Sequence, residues 1–201
     1  MTMIRTLLAS AALSLAALPA AAEQLSLNEI SSYLNSFKSA QGKFTQINED
    51  QTISTGQIYI KRPGRVRFEY DPPDETLVLA DGTRVGVIDP KSNTGPEAYP
   101  LHRTPLKIIL ANNVDFTRER MVTGHESDGK TTTVRAQDPE NPDYGSIELV
   151  FTDNPVELRQ WVVTDDTGTR TTVVLGDLKT GMQLDDEQFV IPGVGVEKRD
   201  R

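Results

Sequence analysis

The sequence predicts a mainly β fold with two short helices, and two observations support this prediction. From Lys43 onward, apolar and polar residues alternate with a period of two, which is typical of half-buried strands. The alternating segments are separated by turn sequences such as Asp81-Gly82 and Asp128-Gly129, not by helices. Because tight turns join antiparallel neighbours, we expect an antiparallel sheet.

The first 22 residues have the pattern of a secretory signal peptide. Arg5 provides a positive charge, Leu7 to Leu18 contains only Leu, Ala and Ser, and Ala20-Ala21-Ala22 offers the small residues that a signal peptidase requires. The apolar run is too short to span a bilayer, which takes about 20 residues. We therefore expect cleavage before Glu23 and one domain over residues 23–201.

The composition excludes several classes of partner and of chemistry. The net charge of −8 becomes −9 without the segment that contains Arg5, and the apolar share falls from 37% to about 32%. This share is low against the usual ~45%, a figure that also counts glycine. An acidic chain repels nucleic-acid phosphates and anionic membrane surfaces, so we expect neither as a partner. Since the chain has no cysteine, disulfides and thiolate chemistry are excluded.

The first element of the expected mature chain is an amphipathic helix over residues 26–40. Ser26 and Glu29 form a capping-box pattern, in which each side chain bonds the backbone amide of the other residue. Gly42 is expected to end the helix. The apolar face consists of Leu27, Ile30, Leu34 and Phe37.

Most of the remaining chain is predicted to form strands. They span residues 57–61, 65–70, 76–80, 84–88, 118–125, 131–136, 146–152, 157–164, 169–178 and 189–191. The stretches 89–104 and 138–145 contain prolines and are predicted to be loops.

A second, very short helix is predicted after Thr104, which would serve as its N-cap, with Pro105 at the first helical position. This helix is apolar on almost all sides, through Leu106, Ile108, Ile109, Leu110 and Ala111. Such a helix must be covered on several sides. It therefore belongs either to an ordinary core or to a lid over a cavity for an apolar ligand, and composition alone does not decide between them.

Sequence patterns that resemble catalytic or metal-binding motifs lack the neighbouring residues and elements that such motifs require. Residues 124–131 match a phosphate-binding loop literally, but Glu126 and Asp128 lie inside it and a strand follows instead of a helix. The two histidines, His102 and His125, lack partners at metal-site spacing on a helix. We expect no enzymatic activity, no cofactor and no metal site.

Several motifs resemble the LolA family, the periplasmic outer-membrane lipoprotein carriers. They are the stretch from Gly56 to Tyr70 around Lys61-Arg62-Pro63, residues 73–82 with the Asp81-Gly82 turn, Ile88-Asp89-Pro90, Phe44-Thr45-Gln46, and the closing Phe189, Pro192 and Gly195-Val196. The family often carries tryptophans in the strand after Lys-Arg-Pro. Here Phe68 and Tyr70 occupy that strand, and Trp161 is the only tryptophan. We therefore expect a more aliphatic cavity.

The resemblance implies an incomplete, curved antiparallel β-barrel of about 11 strands, with short helices as a lid over an apolar cavity. It implies a monomeric periplasmic carrier for the acyl chains of lipoproteins. An inner-membrane lipoprotein-releasing ABC transporter would load it, and an outer-membrane acceptor of the LolB type would unload it. Two alternatives stay open: a periplasmic lipid or glycolipid sensor with this fold, and a combined carrier and acceptor.

The resemblance also assigns site residues. Arg62 matches the family arginine that hydrogen-bonds to the lid and holds it closed. Because side chains alternate along a strand, residues that share the face of Arg62 are expected to line the cavity, together with the next strand and the short helix. The predicted lipid-binding residues are Ile58, Ile60, Val66, Phe68, Tyr70, Leu106, Ile109 and Leu110.

Overall fold

One antiparallel sheet organises the chain. The computed structural model describes residues 24–118 and 120–193, so the predicted signal peptide and Gly195-Val196 lie outside the described residues. The strands in the described part are β1 (Ser39–Ile47), β2 (Ile53–Lys61), β3 (Arg65–Tyr70), β4 (Leu77–Asp81), β5 (Arg84–Ile88), β6 (Glu97–Pro100), β7 (Val122–Ser127), β8 (Thr131–Gln137), β9 (Ser146–Asp153), β10 (Val156–Thr164), β11 (Arg170–Leu175) and β12 (Lys179–Thr180).

The sheet is open and strongly curved. Its order is β6-β5-β4-β3-β2-β1-β11-β10-β9-β8-β7, with β12 also paired to β1. Three strands separate Phe68 on β3 from Trp161 on β10, a separation of roughly 19 Å in a flat sheet. Their ring centroids are nevertheless only 6.2 Å apart. The predicted mainly β, incomplete barrel is therefore confirmed, with twelve described strands where about 11 were expected.

Helix α1 (Leu27–Asn35) is shorter than predicted. The capping box is confirmed: the Ser26 amide donates to Glu29 Oε2 at 2.8 Å, and the Glu29 amide donates to Ser26 Oγ at 3.2 Å. The predicted end at residue 40 and the stop at Gly42 are wrong, because Gly42 lies within β1. A Cβ there would lie 2.9 Å from Leu178 Cδ2 and 3.0 Å from the Asp177 carbonyl oxygen, so a side chain at this position would crowd the neighbouring segment.

Other boundaries also differ from the prediction: β2 begins at Ile53 and not at residue 57, β7 begins at Val122 and not at residue 118, and β11 ends at Leu175 and not at residue 178. The stretch 89–104 is not all loop, since it contains edge strand β6 and a 3₁₀ turn at Leu101–Arg103. The predicted strand 189–191 is wrong: Asp186–Phe189 forms a 3₁₀ turn. Phe189 and Ile191 are buried because this segment packs across the outer surface of β3 and β4, whereas Val190 is exposed. The phosphate-loop pattern is the tip of the β7–β8 hairpin, as predicted.

Helix α2 (Leu106–Ile109) follows Pro105 as expected, but Thr104 does not cap it. The Thr104 hydroxyl instead donates to the Leu101 carbonyl at 2.9 Å and closes the preceding 3₁₀ turn. None of the helices in the described part of the chain is long and apolar enough to cross a membrane.

Two apolar layers cover the sheet. On the inner face, Ile30 and Leu34 of α1 pack into a core that includes Leu149 and Phe151 of β9. On the outer face, the C-terminal segment places Ile191 against Gly86 of β5, where a glycine Cβ would lie 2.7 Å from Ile191 Cγ2. The inner layer positions the cavity described next.

Candidate functional site

A cavity of about 660 Å³ lies on the inner side of the sheet, beneath the segment that runs from β6 to α2. Its volume is in the range of about 300–1,000 Å³ that is usual for small-molecule sites. The lining residues are Gln46, Phe68, Tyr70, Val78, Val85, Val87, Tyr99, Pro100, Arg103, Thr104, Pro105, Leu106, Tyr144, Trp161, Val163, Asp165, Asp166, Thr167, Thr171 and Val173.

The wall of the cavity is aromatic and aliphatic. Phe68 stands edge-on to both Phe44, with ring centroids 5.2 Å apart, and Trp161. Such edge-to-face contacts fix ring positions and add to the energy of burial. Valines of β4, β5, β10 and β11 complete this apolar surface.

One polar pair interrupts this wall. Tyr70 Oη donates to Gln46 Oε1 at 2.5 Å, and Gln46 Nε2 donates to Asn48 Oδ1 at 2.7 Å. Burial raises the pKa of Tyr70 to about 12, although the hydrogen bond from Tyr70 to Gln46 works in the other direction. The phenol is therefore neutral and acts as a hydrogen-bonding group.

The rim carries charged residues from two loops. The Arg103 guanidinium lies 5.8 Å from the centroid of the Tyr144 ring, so the covering segment meets the β8–β9 loop there. Asp165 Oδ1 accepts from the Thr167 amide at 2.9 Å and from its hydroxyl at 2.7 Å. Burial acts to raise the pKa of Asp165, but these hydrogen bonds lower it overall. Its carboxylate therefore shapes the β10–β11 turn.

An ion pair fastens α2 to the same β8–β9 loop. Lys107 Nζ bonds Asp138 Oδ2, and the Asn141 side chain donates to that oxygen at 2.9 Å. Burial acts to raise the pKa of Asp138, but the bonds from Lys107 and Asn141 outweigh it and lower the pKa to about 2. The pair is ionised at neutral pH, so it helps to hold the covering segment in place.

Arg62 lies between α1 and α2, behind the cavity wall. Its side chain is 5% exposed, Nη2 donates to the Phe37 carbonyl, and the guanidinium lies 5.0 Å from the Phe37 ring centroid. Nearby, the Gly64 amide donates to the Leu110 carbonyl at 2.8 Å. Burial lowers the pKa of Arg62. Within the described part of the chain, its Nε and Nη1 atoms have no hydrogen-bond partner.

The structure separates the predicted lining residues into two groups. Phe68, Tyr70 and Leu106 line the cavity. The others are buried in the adjacent core and are not part of the lining: Ile58, Ile60, Val66, Ile109 and Leu110. Alternation along residues 84–88 and 157–164 could have found Val85, Val87, Trp161 and Val163. The polar rim had no comparable signal.

These features define the class of the molecule: an open β half-barrel with a covered apolar cavity. Residues 35–192 match the family model described as outer membrane lipoprotein carrier protein LolA. Since this match covers most of the chain, the protein belongs to the LolA family.

Relatives of the whole chain carry the same description. An outer-membrane lipoprotein carrier protein of Pseudomonas aeruginosa PAO1 is 26% identical over 207 residues, covering 98% of this chain and 99% of the relative. One of Azotobacter vinelandii is 25% identical and covers 94% of both chains. The crystal structure of a LolA superfamily protein from Nitrosomonas europaea is 12% identical, with a TM-score of 0.44 over 83% of this chain and 98% of that one.

Proposed function

We propose that this protein is a periplasmic carrier that binds the acyl chains of lipoproteins released from the inner membrane and delivers them to the outer membrane. The observation that carries the proposal is the covered apolar cavity in a chain of this family. Relatives named as outer-membrane lipoprotein carriers match it over nearly their full length. Export would follow from the signal peptide predicted in residues 1–22.

The physical task is transfer without catalysis. Each methylene of an acyl chain gains about 0.8 kcal/mol when it leaves water, so a lipoprotein with two or three chains needs a substitute for water in transit. The carrier supplies apolar surface. Direction comes from its partners, an inner-membrane lipoprotein-releasing ABC transporter as donor and an outer-membrane acceptor of the LolB type.

In this proposal the lid is the segment from Tyr99 to Leu110, which covers the cavity. The side chain of Arg62 bonds the Phe37 carbonyl just after α1 and not the lid itself, in contrast to the expected bond from this arginine to the lid. Its latch role therefore acts through the anchored strand end, where Gly64, two residues on, bonds Leu110 at the end of α2. Hydrogen bonds of this kind contribute about 1 kcal/mol each, so a lid held by a few of them opens without a large barrier.

The proposed lipid contacts differ in depth. Phe68, Tyr70 and Leu106 contact acyl chains directly in the closed form, because they line the cavity. The deeper residues become accessible when the lid moves away and the inner core opens; these are Ile58, Ile60, Val66, Ile109 and Leu110.

A release assay tests the proposal. Purified protein is added to inner-membrane vesicles that contain the lipoprotein-releasing transporter, ATP and a radiolabelled lipoprotein. The expected result is ATP-dependent appearance of a soluble carrier–lipoprotein complex, which then loses its cargo to vesicles bearing the acceptor. A lipid sensor would bind acyl chains without releasing lipoprotein, and that outcome would contradict carriage. Cargo insertion without an acceptor would indicate a combined carrier and acceptor.

A further inference from the structure

The cavity combines apolar lining with polar groups at several points. Gln46 and Tyr70 lie at the end where β1, β3 and β10 finish and β11 begins, while Tyr99, Arg103, Thr104 and Tyr144 line it from the lid and the β8–β9 loop. The turn residues Asp166 and Thr167 lie at the Gln46–Tyr70 end. Phe68, Val85 and Leu106 line the part beyond this end, under the lid. A polar linkage therefore finds hydrogen-bonding groups at the Gln46–Tyr70 end, next to apolar lining for the attached tail.

The Gln46–Tyr70 pair presents a donor and an acceptor side by side. Tyr70 Oη uses its hydrogen on Gln46 Oε1, which leaves the lone pairs of the phenol oxygen available. Gln46 Nε2 uses one hydrogen on Asn48, which leaves a second. Asp165, Asp166 and the Arg103 guanidinium all line this cavity, so their charges partly offset one another. A fatty-acid carboxylate, however, has no hydrogen to donate to the Tyr70 oxygen, whereas an amide N–H has.

Resting on the function proposed above, the geometry points to a linkage subsite. Gln46 and Tyr70 bind the neutral ester or amide group that joins an acyl chain to the rest of the lipoprotein. Gln46 Nε2 donates to the linkage carbonyl, and Tyr70 Oη accepts from an amide N–H or a hydroxyl. The pair thereby fixes how deeply the chain enters and selects acylated ligands over free hydrocarbon or fatty-acid anions.

Two probes separate this subsite from the apolar cavity. Diphenylhexatriene is a pure hydrocarbon whose fluorescence reports binding to the apolar part. N-lauroylglycinamide carries a neutral amide linkage and is measured by its displacement of diphenylhexatriene. Gln46→Leu is the test variant, and Tyr70→Phe serves as a second variant that removes only the phenol oxygen. Gln57→Leu, the same change on the outer face of β2, is the matched control.

In Gln46→Leu we expect about five- to tenfold weaker binding of N-lauroylglycinamide, the effect of one hydrogen bond, and unchanged binding of diphenylhexatriene. Wild type should also prefer N-lauroylglycinamide over laurate. Parallel weakening of both probes, or no change in either, would overturn the subsite. If wild type binds the hydrocarbon but not the amide, the subsite alone fails. If it binds neither probe, the proposed function fails with it.

Discussion

At the residue scale, Arg62 is unusual because a guanidinium is buried with a single side-chain hydrogen bond and no carboxylate partner among the described residues. A buried charge that is poorly compensated contributes little to stability, and replacing it by an apolar residue is often neutral. We therefore expect Arg62 to affect the position of the lid more than the free energy of unfolding.

We expect Arg62→Leu to keep the free energy of unfolding within about 1 kcal/mol of wild type. Loading should remain possible, whereas hydrogen exchange of amides in residues 106–110 should accelerate and hand-off to the acceptor should be impaired. Hydrogen-exchange mass spectrometry and the transfer assay measure these effects. Arg65→Leu, which removes an arginine from the outer side of the sheet, is the control. Transfer and exchange equal to those of wild type would show that Arg62 is no latch.

Asp138 gives a residue-scale prediction with a pH dependence. Its pKa of about 2 in the folded protein lies below the ~3.9 of an unfolded chain, so its contribution is present above pH 4 and is lost as the pH falls toward 2. Asp138→Asn should lower the free energy of unfolding by about 1 kcal/mol at pH 7, since Lys107 is partly exposed and solvent screens the pair.

Urea denaturation at pH 7 and near pH 3 measures this effect. The difference between Asp138→Asn and wild type should shrink at the lower pH, because the wild-type carboxylate is then losing its ionisation advantage. Exposed Glu140, two residues away, supplies the control Glu140→Gln. An equal difference at both pH values would assign the loss to packing and not to the ion pair.

At the scale of elements, the C-terminal segment is attached to the outer face by close packing. Ile191 is 2% exposed and fills the space that Gly86 leaves. Gly86→Ala should destabilise the protein by about 1–3 kcal/mol, the usual cost of overpacking. Chemical denaturation of Gly86→Ala, Ile191→Ala and the double variant gives the coupling energy. The double variant should lose less stability than the two single losses together; strict additivity would mean that this contact is absent.

The alternation of apolar and polar residues predicted those elements whose burial pattern depends only on residues near in sequence. Strand 65–70 was assigned without error because Val66, Phe68 and Tyr70 alternate with charged residues, and the capping box located the start of α1. The end of α1 could not be read this way. Asn35 is held there by Val114, whose amide donates to Asn35 Oδ1 at 2.9 Å, a contact 79 residues away in sequence.

The site was predictable only in part for the same reason. Phe68 and Leu106 follow from local apolar patterns, but which apolar residues line the cavity depends on how the curved sheet meets the lid. Ile58 lies in an alternating strand as Phe68 does, and yet it is fully buried in the core and does not line the cavity. The Lys107–Asp138 pair joins elements that no local pattern relates.

At the scale of the whole molecule, the low apolar share of the chain agrees with an interior that is not filled by its own side chains. A core of close-packed side chains leaves few voids larger than a water molecule, whereas this half-barrel keeps about 660 Å³ open beneath its lid. Binding of an acyl chain in that space should therefore stabilise the folded protein through mass action.

We expect N-lauroylglycinamide at about 100 times its Kd to add about 2.7 kcal/mol to the free energy of unfolding, which raises Tm by several degrees for a chain of this size. Val78→Phe places a larger side chain on the cavity wall and should abolish most of this rise, while the ligand-free Tm changes little. Val174→Phe, on the outer face of β11, is the matched control and should keep the full rise. Differential scanning fluorimetry measures all three proteins. An undiminished rise in Val78→Phe would place the acyl site elsewhere in the molecule.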